Sequence, residues 1–597
     1  MKVSHLFILS VLVCLSAAGA GLSCGSGGAD DDDAAGDDDT GDDDDNDNDS
    51  TADDDATPDD DTTPDDDTQP DDDTTIESFH GWLIPCDVDG DGVGDYLVED
   101  QFFDGEQNRL ALTIKNIMGE VVSYAVNIEL GNVGFANDKM ADIDHDGLCE
   151  VICDRQYMQT TVKGLEVKGR ITVLKGENLA DAFDSGWYEN TYSSSTVNVD
   201  LNGGGFDLII TNRPADEIGS GAILAYDPSN GYAEIWNIPG APGEGLVLQN
   251  RATTGAAHGP CGNADGVEAF LLERYDLYKI DAPAWRAEWI TPQAEVIGSF
   301  GPLILQQPGV KSAMLVPVPG DNWECAGFMA YPEPDLQTGR FLIFGREGQI
   351  LLDKTQSGVA MWHGTTSISL DGNENPDIVL WGEGTDDKQF LAAATDQNAF
   401  LIQTIATGIT NGFYTPIAWR AKPWLFTGVD LLGDGLPEFA VLPFIFSLTG
   451  ALPFPLYGTD LAPSGFEYDL PLPAGELLNA EAYLLDTDGL GTPALVAAAI
   501  TTEGQAPWAL HSTWAVFTGN NSAPVYQEPP IDGIMVYQCT PWDFDGDGKP
   551  EICEQRYPTA DDTPGRVRLL NPQNGFTPLL DESGDEGHRL VLVGQWE

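Results

Sequence analysis

One turn recurs along this chain and limits what the chain can fold into. Asp87-Val-Asp-Gly-Asp-Gly-Val-Gly-Asp95 stands before the β-prone run YLV, Asp142-Ile-Asp-His-Asp-Gly-Leu-Cys-Glu150 before VIC, and Asp543-Phe-Asp-Gly-Asp-Gly-Lys-Pro-Glu551 before IC. Four weaker copies share the outline: Asp200-Leu-Asn-Gly-Gly-Gly-Phe-Asp207, Ser369-Leu-Asp-Gly-Asn-Glu-Asn-Pro-Asp377, Asp430-Leu-Leu-Gly-Asp-Gly-Leu-Pro-Glu438 and Asp486-Thr-Asp-Gly-Leu-Gly-Thr-Pro-Ala494. Two further units keep β-like runs but lack the acidic turn, around Asn263-Ala-Asp-Gly-Val-Glu268 and Gly320-Asp-Asn-Trp-Glu324. The turns are about 57 residues apart on average. Self-similarity at that period marks an array or a propeller, because each unit is too small to bury an apolar face alone. Between turns lie β-like runs such as RLALTIKN, GRITVLKG, GAILAYD, GRFLIFG, STWAVFTG and GRVRLLN. About four strands fit each period, which is one blade. The expectation is an all-β fold, a β-propeller of about eight or nine four-stranded blades. Nine turns need not give nine blades when the first and last strands share one.

The turns and their flanking strands resemble the FG-GAP or VCBS repeats of integrin-like β-propellers over roughly residues 79–597. In that family the turn holds one Ca²⁺ through side chains at positions 1, 3, 5 and 9 and the carbonyl at 7. Carried over, the complete sets are Asp87, Asp89, Asp91, Val93 and Asp95; Asp142, Asp144, Asp146, Leu148 and Glu150; and Asp543, Asp545, Asp547, Lys549 and Glu551. The pattern suits calcium, which takes six to eight hard oxygens, and glycine permits the positive φ that wraps the backbone round an ion. Elsewhere the set is broken. Leu432, Ala494 and Ser369 stand where ligands are expected, and the turn at Asp200 is one residue short. The stretch Asp543–Glu554 also fits an EF-hand loop, with Glu554 at the twelfth position. Its flanks read as strands, however, and its relatives carry Val98 and Cys153 there.

The complete turns belong to the first, second and last units, which become neighbours when a ring closes. Cys86, Cys149, Cys153, Cys539 and Cys553 fall in the same units. Calcium and one or two disulfides are therefore expected to staple the seam, pairing either Cys539 with Cys553 or Cys86 with a cysteine of an adjoining unit. The odd count beyond Cys24 leaves at least one free thiol, with Cys261 and Cys325 the most isolated.

The N-terminus, MKVSHLFILSVLVCLSAAGAGLSCGSGG, reads as an export signal over residues 1–23, its apolar core being too short to span a membrane. Gly21-Leu22-Ser23-Cys24 resembles a lipobox, making Cys24 the acylated first residue of a surface lipoprotein. The competing reading is cleavage after Ala18-Gly19-Ala20 and free secretion. Residues 24–78 form the anchor cysteine and an Asp-rich linker; 25 Asp lie between residues 30 and 73 with no Lys or Arg among them. So few apolar side chains cannot offset ordering entropy, and a disordered, extended stalk is expected. The formal charge of -73, with only 26 Lys and Arg, argues against nucleic acid or anionic lipid as a partner, since phosphate binding needs a dense basic surface.

Seven His are scattered without metal-ligand spacing, and no HExxH, GxSxG or phosphate-loop pattern occurs. His145 reads as an exposed substitute for Gly. Trp285, Trp289, Trp323, Trp362, Trp419 and Trp424 lie in the middle units, where they either fill wedges between blades or stack on sugars. The expected function is a calcium-stabilised extracellular binding or adhesion module, tethered to the cell envelope and recognising a protein or glycan. A propeller-fold polysaccharide-degrading enzyme and a structural envelope protein are the alternatives.

Overall fold

In the computed structural model the body is a β-propeller, and helix among the described residues is confined to two 3-10 turns, Pro228–Asn230 and Pro572–Asn574. The structure describes residues 83–596 apart from 132–134, 162–163, 202–205, 250–268, 277–283, 305–313, 317–325, 333–337, 369–376, 385–387, 395–399, 408–411, 417–429, 434–437, 446–447, 459, 487–492, 505–508, 539–540 and 559–563. The signal segment, Cys24 and the acidic linker lie outside the described residues, as do Cys261, Cys325, Cys539, Trp323, Trp419 and Trp424.

Eight sheets make the ring. Six have four strands in simple up-and-down order; that of Thr191–Val199, Asp207–Pro214, Ser220–Asp227 and Ala233–Pro242 is typical. A seventh adds one short strand, and the largest, of eleven strands, holds two four-stranded groups bridged at single positions such as Gly131 to Met158. The ring is therefore eight sheets built from nine four-stranded units, which bears out the expected range. The acidic turn Asp142–Glu150 joins the first strand of the second unit, Phe135–Ala141, to its second, Glu150–Thr161, and Asp87–Asp95 leads into the second strand of the first unit, Asp95–Phe103.

Sheets of this kind bury both faces against neighbours, so second strands read as near-continuous apolar runs. Pro493–Glu503 is buried through its first nine residues. The core consequently lies in wedges between sheets. One wedge combines Val199, Ile209 and Trp236 with Phe270, Leu272 and Ile290 of the next unit; another combines Ile152 and Ile171 with Leu208 and Ile210. Trp285 and Trp289 are fully buried in such a wedge, so they pack and do not present a sugar platform. A glycine within several third strands has a matching cause. A Cβ on Gly221 would meet Glu244 O at 2.5 Å and one on Gly169 would meet Ser193 N at 2.6 Å, both on the first strand of the following unit.

The ring is closed by the C-terminus. Arg589–Val593 pairs antiparallel with Asp95–Phe103, Leu97 opposite Val593 and Gln101 opposite Arg589, and so supplies the first strand of the first unit. Gln595–Trp596 then pairs with Leu83–Ile84 and touches Phe135–Ala141 of the second unit. Across the seam, Lys115 Nζ lies 2.7 Å from Glu582 and His588 Nδ1 2.9 Å from Asp100.

Candidate metal centres

Each complete turn is folded by its own carboxylates. Asp87 Oδ1 accepts from Gly90 N at 2.8 Å and Oδ2 from Gly92 N at 2.9 Å, while Asp91 Oδ1 accepts from Val93 N at 2.7 Å. The second turn repeats this with Asp142 Oδ2 to Gly147 N at 3.0 Å and Asp146 Oδ1 to Leu148 N at 2.9 Å. The third does so with Asp543 Oδ2 to Gly548 N at 2.9 Å and Asp547 Oδ1 to Lys549 N at 3.0 Å. Alternate residues take positive φ, as at Gly90 (78°), Gly92 (76°), Gly546 (72°) and Gly548 (75°). His145 holds the corresponding place at φ 58°, as a substitute for glycine must, and its Nε2 also accepts from Phe206 N of the next unit at 3.0 Å.

The result is convergence of oxygen. Ligand atoms of Asp87, Asp89 and Asp95 lie within 4.8 Å of one another, as do those of Asp142, Asp144 and Asp146, and of Asp543, Asp545 and Glu551. Asp91, Glu150 and Asp547 stand outside those tight groups while remaining on the same turns. Val93, Leu148 and Lys549 occupy the seventh position of each turn, where the resemblance expects a carbonyl ligand. The ninth-position acids are buried, and burial together with the turn's other carboxylates pushes their carboxyls up: Asp95 to about 6, Glu150 to about 8 and Glu551 to about 8. In each case a backbone N–H, from Val88, Ile143 or Phe544, opposes the shift. Hard oxygens crowded at this density fit a divalent cation such as Ca²⁺, whose charge would offset their repulsion.

The three turns meet at the seam. Leu83 N donates to Pro541 O and Asp543 N to Leu83 O, both at 2.8 Å, which ties the third turn to the strand that leads into the first. Cys149 N donates to Asp87 O at 2.9 Å, and Cys86 and Cys149 form a disulfide with Cα atoms 6.1 Å apart. Of the two expected pairings, the one joining Cys86 to an adjoining unit is realised. Cys553 is a buried free thiol, as is Cys153, so the alternative with Cys539 is corrected: Cys553 points into the wedge between the last unit and the first. Glu554 is no metal ligand either. Its carboxylate is fully buried and pairs with Arg556 at 2.5 Å and with Arg568, beside Glu528.

Sequence reasoning missed one polar site altogether. Thr449, Gly450, Leu472, Pro473, Gly475, Glu476, Thr502 and Glu503 line an open groove of about 760 Å³ between two units. Behind it His511 Nδ1 lies 2.7 Å from Asp532 Oδ1 and its Nε2 3.7 Å from Glu503 Oε2. No motif announces this groove, because its residues come from three turns spread over more than fifty positions.

The fold and its acidic turns define a β-propeller with candidate cation sites at its closure. No protein-family model matches the chain, and no curated protein does. Among solved structures it is similar to a prolyl endopeptidase, with 11% identity and a TM-score of 0.31 over 76% of this chain and 50% of that one. It is likewise similar to Aleuria aurantia lectin, described as a six-bladed β-propeller with a novel fucose recognition mode, at 12% identity and TM-score 0.26 over 57% of this chain and 97% of that one. A third similarity is to Pyrococcus horikoshii acylaminoacyl peptidase, at 10% identity and TM-score 0.29 over 71% and 58%. The chain thus spans about half the length of the prolyl endopeptidase.

Proposed function

We propose that the chain is a calcium-stabilised extracellular binding module of the FG-GAP/VCBS kind, recognising a protein or glycan and tethered to the cell envelope through an acylated Cys24. The observation that carries this reading is the meeting of three carboxylate turns at the single seam where the ring closes. Calcium there rivets the first, second and last units. The Cys86–Cys149 disulfide supports an oxidising compartment, in keeping with export as a surface lipoprotein or, failing lipidation, secretion. Beside the first turn, Ile117 N donates to Gly94 O at 3.0 Å, and Ile117, Met118, Val121 and Tyr124 are exposed by 41, 66, 60 and 59%. An apolar and aromatic rim of that kind supports contact with a protein or glycan.

Two measurements test the reading. Chelation is expected to lower the melting temperature of the full chain, since an ion that binds only the folded state contributes about 2.7 kcal/mol per site at a hundredfold excess over Kd. An unchanged midpoint would remove calcium from the account. Saturable binding on a glycan or protein array without cleavage supports the module, and no saturable binding to anything favours a structural envelope protein.

One observation favours the enzyme reading: the open groove with Glu476 and Glu503 on its walls. A glycoside hydrolase needs two such carboxyls. Release of reducing ends from a polysaccharide panel, abolished by Glu476→Gln or Glu503→Gln, would establish it.

A further inference from the structure

In five of the described turns that join third to fourth strands, one non-glycine residue stands in the left-handed region: Leu179 (φ 52°), Tyr232 (60°), Ala294 (60°), Leu461 (62°) and Phe576 (61°). Three of them pack against the cluster that holds the second residue of the preceding unit's acidic turn or its remnant. Leu179 joins the cluster of Val88, Tyr232 that of Ile143, and Ala294 that of Leu201. The position is apolar in role, and Tyr232 alone of the five carries a polar side-chain atom.

Its turn, Asp227-Pro-Ser-Asn-Gly-Tyr232, has a twin in Asn571-Pro-Gln-Asn-Gly-Phe576. Both open with a side chain that accepts from the N–H three residues on, Asn230 or Asn574, and both place glycine in the left-handed region, at φ 63° and 61°. A phenylalanine therefore satisfies the fold here. The Tyr232 ring does the same work, stacking on Phe183 with centroids 5.0 Å apart.

The hydroxyl is left over. Its oxygen is buried and has no hydrogen-bond partner among the described residues. A buried, unpartnered hydroxyl costs free energy that an external partner would recover. Burial first, and then the charges of Glu150 and Asp144 on the second acidic turn, push its pKa up. That turn is tied to the third unit twice more, by Ser229 Oγ to Asp144 O at 3.5 Å and by Phe206 N to His145 Nε2 at 3.0 Å.

We propose that Tyr232 is a positioning residue for a divalent cation in the second turn, its hydroxyl donating to that ion's ligand shell, so that the site is shared between the second and third units. The inference rests on the calcium reading of the turns. A neutral phenol is a donor at physiological pH, and loss of a group that orients a metal's ligands typically costs about 10–100-fold in affinity.

The test is calorimetric titration of the chelator-stripped full chain with calcium, comparing wild type, Tyr232→Phe and Asp144→Asn, with melting temperatures measured in chelator and in calcium. Tyr232→Phe is expected to weaken one class of site by about tenfold and to leave the other sites unchanged. Asp144→Asn should weaken that same class, and the chelated Tyr232→Phe protein should melt no lower than wild type. A wild-type isotherm for Tyr232→Phe, with Asp144→Asn still impaired, would overturn the inference and leave the calcium reading standing. An equal loss of melting temperature with and without calcium would reduce Tyr232 to packing and overturn it too. Absence of calcium uptake by wild type would end both.

Discussion

Asp207 and Glu438 close turns that have lost part of their acidic set, yet each still accepts the N–H of the turn's second residue, from Leu201 at 2.7 Å and from Leu431 at 2.9 Å. Asp95, Glu150 and Glu551 make the same bond to Val88, Ile143 and Phe544. Read from sequence as a ligand alone, the closing acid is also the clasp of the turn. The signal for this was its retention where Leu432 had already replaced a ligand. Glu438→Ala is accordingly expected to cost about 1–3 kcal/mol, the penalty for stranding a buried N–H, in denaturant unfolding with or without chelator. A second residue-scale prediction concerns pH. Burial, with the charge of Asp138 added, pushes Glu99 from 4.5 to about 8, and burial pushes Asp154 from 3.8 to about 7. Both carboxyls take up protons on folding, so they favour the folded state at low pH and their contribution is lost as pH rises from about 4.5 towards 8. In chelator, the melting temperature should fall between pH 5 and pH 8, and Glu99→Gln should flatten that slope; a slope unaltered by the substitution would exclude Glu99 as its source.

At the scale of elements, the third strands show what a quoted run can hide. GRITVLKG, GRFLIFG and GRVRLLN begin with Gly-Arg, and each Arg forks onto an Asp of the fourth strand. Arg170 meets Asp184 at 2.9 and 2.7 Å, Arg340 meets Asp353 at 2.9 and 2.7 Å, and Arg566 meets Asp581. These pairs are part-exposed, worth about 0.2–1 kcal/mol each, so they set strand pairing more than stability. Their partners lie across a hairpin and are invisible until the hairpin forms. The glycine beside the Arg serves a different end, admitting the next unit's backbone at Gly169 and, against His588 O, at Gly565. The seam disulfide is the strongest single link between elements. It closes a chain segment of 63 residues; constraint of the unfolded state by a loop that long is worth about 4 kcal/mol in the chain-entropy model. Replacing Cys86 and Cys149 together with Ser should lower unfolding free energy by that order at fixed calcium; a loss of less than a quarter of it would mean that the seam holds without the bond.

Across the whole molecule, stability depends on whether two chain ends find each other. Leu590, Leu592 and Val593 of the closing strand are 4, 4 and 6% exposed. Burying three such side chains contributes about 1.5–3 kcal/mol apiece, a large share of the roughly 5–15 kcal/mol that holds a typical domain. Removal of residues 589–597 should therefore abolish the cooperative unfolding transition and open the first unit to proteolysis; a truncated chain that melts as sharply as the full one would contradict the closure. By itself the sequence determined the repeat, the all-β class, the place of each acidic turn between two strands, and the residues able to crowd oxygen there. Those properties follow from period, alternation and glycine placement, which act over a few residues. Only the tertiary structure decided that Cys86 takes Cys149, that Glu554 answers Arg568 and no ion, that Trp285 and Trp289 fill a wedge, and that the C-terminus supplies the first unit's first strand. Each of these is a pairing across tens or hundreds of residues, and nothing in the local pattern carries the distance between two points of a chain before the ring has closed.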